Sequence, residues 1–290
     1  YRSSRGLGDV YKRQAYTLAG ACLLANPSAS WFVLGKHRVR RQMVEQISRE
    51  DHCVYLYNSL LGCDATRLVF DGSLFIAQQG STLREGRRLL FSEEIEMVDA
   101  VVDLEACQRA RMEEGSWRQQ SEAQLRGDFG PLPPTIDIAG DFTTTAPAPS
   151  PGPYWITEPP ASPDPSLDWL VEAGLIKPFT ARDLPHLELE LSLALGLLEY
   201  VKKCRIPGFA LALSGGRDSA MCALLIGRMF RYDRPDLSEE ELKAHVHRHF
   251  VCAYMGTDNS GSATRSAAAA LSAELGLSLI HISEPTRRPI

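Results

Sequence analysis

The first part of the chain has apolar stretches of the β-strand type separated by polar stretches of the helical type. The stretches HCVYLYNSL, TRLVFDGSLFIAQQG and EEIEMVDAVVDL are rich in Val, Ile, Tyr and Phe, and they predict strands. Asp71-Gly72 and Gln79-Gly80 supply turn signals beside them. The charged stretch 36–50 predicts a helix, and DLEACQRARMEEGSWRQQ predicts a polar helix. Residues up to about 119 therefore have an α/β pattern.

The second part begins with LELELSLALGLLEYVKKC, whose leucines alternate as in a strand. The run is too long for an ordinary strand, and Leu191, Leu195 and Leu198 share one face at helical spacing, so it predicts a helix. A short apolar run, a glycine loop and a second apolar stretch then predict strand, loop and helix. The same order of strand, loop and helix is predicted over 250–276, and the two together predict the start of a parallel sheet with crossover helices.

Proline is concentrated between these two parts, in PLPP, TTTAPAPSPGP and EPPASPDP. Proline removes amide donors and favours extended conformations, so we assign residues 129–180 to a linker and expect domains at 15–128 and 181–276. The end strings YRSSRGLGDVYKRQ and LSLIHISEPTRRPI resemble translated sequencing-adapter sequence. We expect residues 1–14 and 277–290 to be artefacts, with ordinary frayed termini as the alternative.

Composition narrows the class of partner. The net charge is -5, so no basic surface indicates a nucleic acid partner. The seven cysteines have neither metal-ligand nor disulfide-framework spacing, which favours a reducing cytoplasm. No apolar run approaches the ~18 residues of a membrane span, so we expect no membrane partner.

The residues SGGRDS are the most informative about function, because they connect a predicted apolar strand to a predicted helix. Gly215 and Gly216 leave room for backbone amides to converge on phosphate oxygens. Ser214 and Ser219 add hydroxyl groups, and the positive end of the helix dipole favours an anion. Asp218 would repel a phosphate unless a cation lay between them, so we expect it to be a Mg²⁺ ligand.

The string lacks the GK[ST] of a Walker loop and the GxGxxG of a dinucleotide fingerprint, and a glycine turn capped by Ser and Asp is the alternative. It resembles the pyrophosphate loop SGGxDS of the N-type ATP pyrophosphatases, which activate a substrate as its adenylate. The resemblance implies that ATP is bound by Ser214, Gly215, Gly216, Asp218 and Ser219.

Downstream, AYMGTDNSGSATRSAAAALSAELG resembles the second strand-loop-helix of the NAD synthetases. The resemblance implies that Thr257 and Ser260, with Thr264 beyond them, lie near ATP. Gly256 replaces a proline of the family and Ala267 replaces an acidic residue. Helix capping is the alternative explanation for this serine-rich turn.

Upstream, LAGACLLANPSASWFVLGKHRVRRQMV resembles the segment after the catalytic cysteine of nitrilase-type glutaminases, and VFDGSLFIAQQGSTLREGRRLLF resembles their late hairpin. Together with SGGRDS, this implies the glutamine-dependent NAD synthetases. The implied fold is α/β: the C-terminal part of an αββα nitrilase sandwich, then the start of a Rossmann-like parallel-sheet ATP pyrophosphatase domain. Ser30 and Lys36 would bind glutamine, although residues 26–30 could form a simple capped turn.

The resemblance implies ATP-dependent amidation of nicotinic acid adenine dinucleotide to NAD through an adenylate, with ammonia from glutamine, Mg²⁺ as cofactor and a homo-oligomeric parent. The family's glutaminase Cys, Glu and Lys would lie upstream of Tyr16, so we expect this fragment to be inactive. Another amidotransferase-coupled adenylating ligase and a non-catalytic nitrilase-like binding protein are the alternatives.

The run HVHRHF places three histidines, His245, His247 and His249, at alternate positions. In a strand all three would share one side, which would suit a metal ion. No carboxylate or cysteine joins them, and the run is also compatible with a helix. We therefore interpret it as a solvated basic patch.

Overall fold

A computed structural model describes residues 13–64, 67–91, 95–128, 131, 134, 162–256 and 261–283. Contacts divide the chain into two compact units that interleave along the sequence. Unit 1 comprises Tyr1–Leu60, Gly72–Arg88 and Glu96–Ala161, and unit 2 comprises Leu61–Asp71, Leu89–Ile95 and Ser162–Ile290. Each predicted domain is one continuous stretch of the chain, whereas each compact unit combines three separate stretches.

The described strands are β1 (Leu23–Ser28), β2 (Val54–Ser59), β3 (Leu61–Cys63), β4 (Val69–Asp71), β5 (Leu74–Gln78), β6 (Ser81–Glu85), β7 (Phe209–Ala212), β8 (Phe250–Gly256) and β9 (Ser278–Ser283). Residues 13–18 are helical. The helices that lie wholly within the described ranges are α1 (Lys36–Glu50), α2 (Leu104–Glu113), α3 (Gly115–Leu125), α4 (Asp168–Glu172), α5 (Leu184–Cys204), α6 (Arg217–Asp233), α7 (Glu239–His249) and α8 (Ser262–Glu274). A short 3-10 helix, Pro165–Leu167, precedes α4. No helix in these described ranges is long and apolar enough to cross a membrane.

Unit 1 contains a four-stranded mixed sheet in the order β1-β2-β5-β6. Strands β1 and β2 are parallel and are joined through α1, while β5 is antiparallel to both β2 and β6. The predicted turn signals are confirmed: Gly72 has φ 72° between β4 and β5, and Gln79 and Gly80 have φ 50° and 85° between β5 and β6. Two adjacent positive-φ residues are typical of a tight type I′ hairpin.

The prediction of a strand in EEIEMVDAVVDL is wrong for the part that the structure describes, because residues 95–103 have no regular secondary structure. Val98, Ala100 and Val102 are nevertheless half-buried and pack against one apolar cluster, formed by Val54, Ile76 and Cys107. The alternation therefore reflects packing on one side without a hydrogen-bonded ladder. The polar helix expected after it is confirmed as two helices, α2 and α3.

Unit 2 contains a three-stranded sheet in the order β7-β8-β9, parallel throughout. Helices α6 and α7 join β7 to β8, and α8 joins β8 to β9, as the two predicted strand-loop-helix rounds require. The helical prediction for α5 is also confirmed, since Leu191, Leu195 and Leu198 are all buried in the core of the unit. The separate β3-β4 pair packs against α5.

Part of the predicted linker is folded. Leu167 and Leu170, in the 3-10 helix and α4, are fully buried in the core of unit 2. These leucines anchor the described end of the segment, and most of residues 129–161 lie outside the described ranges. Residues 278–283 of the expected artefact form β9, which shows that an alternating apolar string can pair with the edge of β8. The origin of that string stays a prediction.

Candidate functional site

The SGGRDS bend joins the carboxyl end of β7 to the first turn of α6. Leu213, the last residue before it, is fully buried and its N–H donates to the Ala253 carbonyl of β8 at 2.8 Å. From Ser214 onwards the chain emerges from the core, and Ser214, Gly216 and Asp218 are exposed. The sheet therefore holds the bend firmly while its outer surface stays open to solvent.

Serine hydroxyls shape the bend from within. The Ser219 hydroxyl accepts from the Ser214 N–H at 3.3 Å and donates to the Gly216 carbonyl at 3.1 Å. The Ser214 hydroxyl lies 3.1 Å from that of Ser219 and accepts from the Gly216 N–H at 3.3 Å. Both amide contacts are at the long end of the hydrogen-bond range, so a stronger acceptor such as a phosphate oxygen could replace them.

Gly215 occupies the position that only glycine fills without strain. Its φ is 78°, and a β-carbon built on it would lie 2.1 Å from the Thr264 carbonyl oxygen. Within the described part of the chain its N–H has no hydrogen-bond partner. The first N–H groups of α6 also lack intrahelical acceptors, as in any helix. Several amides are thus gathered at one open bend, an arrangement suited to an anion.

The first turn of α8 forms the neighbouring wall. The Thr264 hydroxyl donates to the Gly261 carbonyl at 2.8 Å and lies 3.2 Å from the hydroxyl of Tyr254. The guanidinium of Arg265 lies 6.0 Å from the centre of the Tyr254 ring. Tyr254 and Arg265 were not predicted from the sequence, because their nearness to the bend depends on the register of β8 against β7 and on the packing of α8. Thr257 and Ser260, both predicted to contact ATP, lie outside the described residues.

The oxygen groups of the bend suit a hard cation. Asp218 is exposed in the first turn of α6 and is followed directly by Ser219, whose hydroxyl helps to shape the bend. Carboxylate, hydroxyl and phosphate oxygens are the ligands that Mg²⁺ takes in proteins. The donor set therefore fits the predicted Mg²⁺ role of Asp218.

Ser30 and Lys36, predicted to contact glutamine, lie at the two ends of one loop in unit 1. The Ser30 carbonyl accepts from the Arg40 guanidinium at 2.6 Å. The Lys36 ammonium donates to the Trp31 carbonyl at 2.9 Å and lies 4.9 Å from the centre of the Trp31 ring. In this structure the cation of Lys36 thus folds back on its own loop.

Two buried polar residues that support this loop were missed at the sequence level. His37 and Arg40 are 4% and 3% exposed, and the Ser73 hydroxyl bonds to both, at 2.9 Å to His37 Nδ1 and 3.1 Å to Arg40. The other ring nitrogen of His37 lies 2.5 Å from the Glu85 carboxylate. A signal for them exists in the sequence. His37, Arg40 and Val44 are spaced i, i+3 and i+7, which places all three on the buried face of α1.

The chain is similar to curated proteins named glutamine-dependent NAD(+) synthetase. It is 28% identical to the one from Oryza sativa over 280 residues, which is 89% of this chain and 34% of that protein. It is 30% identical to the human one over 213 residues, which is 73% of this chain and 26% of that protein. The chain therefore spans about a third or less of these relatives. No protein-family model matches it.

A solved structure agrees on the fold. The glutamine-dependent NAD(+) synthetase from Cytophaga hutchinsonii superimposes with a TM-score of 0.57 at 23% identity, covering 92% of this chain and 37% of that one. Both contain mixed α/β architecture with parallel strands. Across 89% of its length, the chain is thus a homologue of the glutamine-dependent NAD(+) synthetases.

Proposed function

We propose that this chain is part of an enzyme that uses ATP to amidate nicotinic acid adenine dinucleotide to NAD, with an adenylate as intermediate and ammonia drawn from glutamine. The observation that carries the proposal is the open SGGRDS bend between β7 and α6. The chain spans only 34% of the rice relative, so the complete reaction is assigned to the longer protein of which these residues would form a part.

The bend supplies the electrostatic part of such a reaction. When an adenylate forms, a carboxylate oxygen attacks the α-phosphorus of ATP and pyrophosphate leaves with growing negative charge. Backbone amides fixed by a buried strand can stabilise that charge without reorganising. Leu213 and Gly215 give this rigidity, because one is fully buried and the other is wedged against the Thr264 backbone.

Magnesium would complete the site. Asp218 would hold the ion together with phosphate oxygens, and the ion would neutralise charge on the pyrophosphate. Ser214 and Ser219 would then exchange their mutual hydrogen bonds for contacts with phosphate oxygens. The negative Asp218 side chain at a phosphate site supports this proposal, because without a cation it would oppose binding.

In the longer protein, the glutaminase domain to which the upstream half of this chain would belong would supply ammonia. We assign residues 15–128 to the C-terminal part of a nitrilase-type glutaminase and residues 181–276 to the beginning of a Rossmann-like ATP pyrophosphatase domain. Ser30 and Lys36 would contact glutamine once the Lys36 side chain left Trp31. The hydrogen bonds from Arg40 to the Ser30 and Trp31 carbonyls support this assignment, since they hold the loop on a buried, rigid residue.

Calorimetric titration of the 290-residue chain with ATP, with and without Mg²⁺, tests the nucleotide site. We expect Mg²⁺ to strengthen ATP binding in the wild-type chain, and Asp218→Asn to abolish that effect. Glu274→Gln is the matched control, because it makes the same acid-to-amide change at an exposed position at the far end of α8. Equal Mg²⁺ dependence in the wild-type and Asp218→Asn chains would overturn the proposal and favour a non-catalytic role.

A further inference from the structure

The three histidines of HVHRHF do not share one side, because they lie in helix α7 rather than in a strand. Residues four apart are neighbours on a helix, so His245 and His249 come together. Their ring centres are 4.7 Å apart, with the ring planes tilted by 49°. His247, two positions from each, is exposed on another face of the helix.

The ring of His249 is oriented by the backbone. Its Nδ1 lies 3.0 Å from the Pro207 carbonyl oxygen, which can only accept a hydrogen bond. Nδ1 therefore carries the hydrogen, and in the neutral ring Nε2 keeps its lone pair. A histidine that ligates a metal usually donates its other ring N–H to a backbone carbonyl or carboxylate in this way.

The surroundings restrict the motion of both rings. The Phe230 ring meets the edge of His245 at 5.5 Å and lies 6.4 Å from His249. Gly208 approaches so closely that a β-carbon on it would be 2.1 Å from the His249 carbonyl oxygen. Both histidines are half-buried, and His249 lies against Pro207 and Gly208, which directly precede β7. Two imidazoles fixed at this spacing need little reorganisation to hold one ion.

We propose that His245 and His249 form a two-histidine chelate for a borderline divalent transition-metal ion. Imidazole nitrogen favours Cu²⁺, Ni²⁺ and Zn²⁺ over Mg²⁺, and Cu²⁺ binds most strongly in that series. Among the described residues, no His, Cys, Asp or Glu completes a three-ligand set with this pair, so water would fill the remaining positions.

This site is separate from the proposed phosphate site. His249 immediately precedes β8, and Pro207 lies just before β7, so the pair stands at the amino edge of the parallel sheet. The SGGRDS bend lies at the carboxyl edge. The metal proposal therefore does not depend on the proposed function, and each can fail alone.

Titration of the metal-stripped 290-residue chain with Cu²⁺ tests the pair, with calorimetry for affinity and electron paramagnetic resonance for the number of nitrogen ligands. We expect one site with two coordinated imidazole nitrogens. His245→Gln and His249→Gln should each lose the tight binding event, while His247→Gln, on the same helix, should keep it. Thermal melts in the absence of metal establish that each variant is folded.

The proposal is overturned if His247→Gln weakens Cu²⁺ binding as much as the other two, since the ion would then bind to the basic run without a defined pair. It is also overturned if His245→Gln and His249→Gln both bind like the wild-type chain. If one of these two variants does not fold, the other decides the question: loss of tight Cu²⁺ binding supports the proposal, and binding like that of the wild-type chain overturns it.

Discussion

Gly215 and Thr264 meet backbone to backbone: a β-carbon added to Gly215 would lie 2.1 Å from the Thr264 carbonyl oxygen and 2.8 Å from its carbonyl carbon. Backbone atoms cannot swing aside as a flexible side chain can. The contact joins the bend after β7 to the first turn of α8 and so fixes one edge of the candidate site.

Gly215→Ala should therefore destabilise unit 2 and abolish Mg²⁺-dependent ATP binding. The positive φ alone costs an alanine about 1 to 2 kcal/mol, and the clash adds to that cost. Gly216→Ala is the matched control for stability, because at Gly216 a β-carbon would meet only the Ser214 hydroxyl, at 3.3 Å. Thermal melts of both variants check the stability, and ATP calorimetry on Gly215→Ala checks the binding. Equal melting temperatures of the two variants would contradict the prediction.

Ser238→Ala should lower the unfolding free energy by about 1 kcal/mol, the usual cost of losing a helix N-cap. Ser238 and Glu241 form a reciprocal capping box at the start of α7. Ser262→Ala serves as the control, since Ser262 opens α8 without a side-chain cap bond. Urea unfolding compares the two variants, and a loss no larger for Ser238→Ala than for Ser262→Ala would refute the role of the cap.

Glu96 should make the stability of unit 1 depend on pH. Burial raises the pKa of Glu96, but hydrogen bonds from the Arg87 side chain and backbone lower it further, so the net pKa is below the ordinary value of 4.5. A depressed pKa in the folded state adds stability above pH 4.5, and that stability is lost as the pH falls through the folded-state pKa.

Glu96→Gln should consequently be less stable than the wild-type chain at pH 7 and should approach it near the acid end of the transition. Urea unfolding at a series of pH values measures this. Glu105→Gln is the control, because the Glu105 side chain is 85% exposed and its contact with Arg109 is long, at 3.4 Å. A constant difference between Glu96→Gln and wild type at all pH values would argue against the proposed linkage.

Thiol labelling should divide the cysteines by exposure. Cys204 and Cys222 are exposed and should react with iodoacetamide in the native chain. Burial raises the pKa of Cys53 to about 12, so its reactive thiolate is scarce, and Cys107 and Cys252 have raised pKa values for the same reason. Mass spectrometry should find these three labelled only after unfolding. Native labelling of Cys53 would contradict its burial.

The sequence pattern predicted most of the helices, strands and turns that depend on residues close together in the chain. The spacing of Leu191, Leu195 and Leu198 was enough to identify α5 despite its strand-like alternation. The sequence SGGRDS was enough to place a glycine-containing bend between a strand and a helix. The strand prediction was wrong at residues 95–103. There the alternation of apolar and polar residues shows which side of the segment is packed, but no neighbouring strand in the described ranges forms hydrogen bonds with it.

The amino-acid sequence by itself determined the apolar faces, the turns at Gly72 and Gly80 and the position of the SGGRDS bend, because each depends on residues close together in the chain. Only the tertiary structure decided that Thr264 closes against Gly215, that Arg40 holds the Ser30 carbonyl, and that His249 donates to Pro207. These contacts join distant segments, and their geometry depends on which strands pair, in which register, and how the helices between them pack.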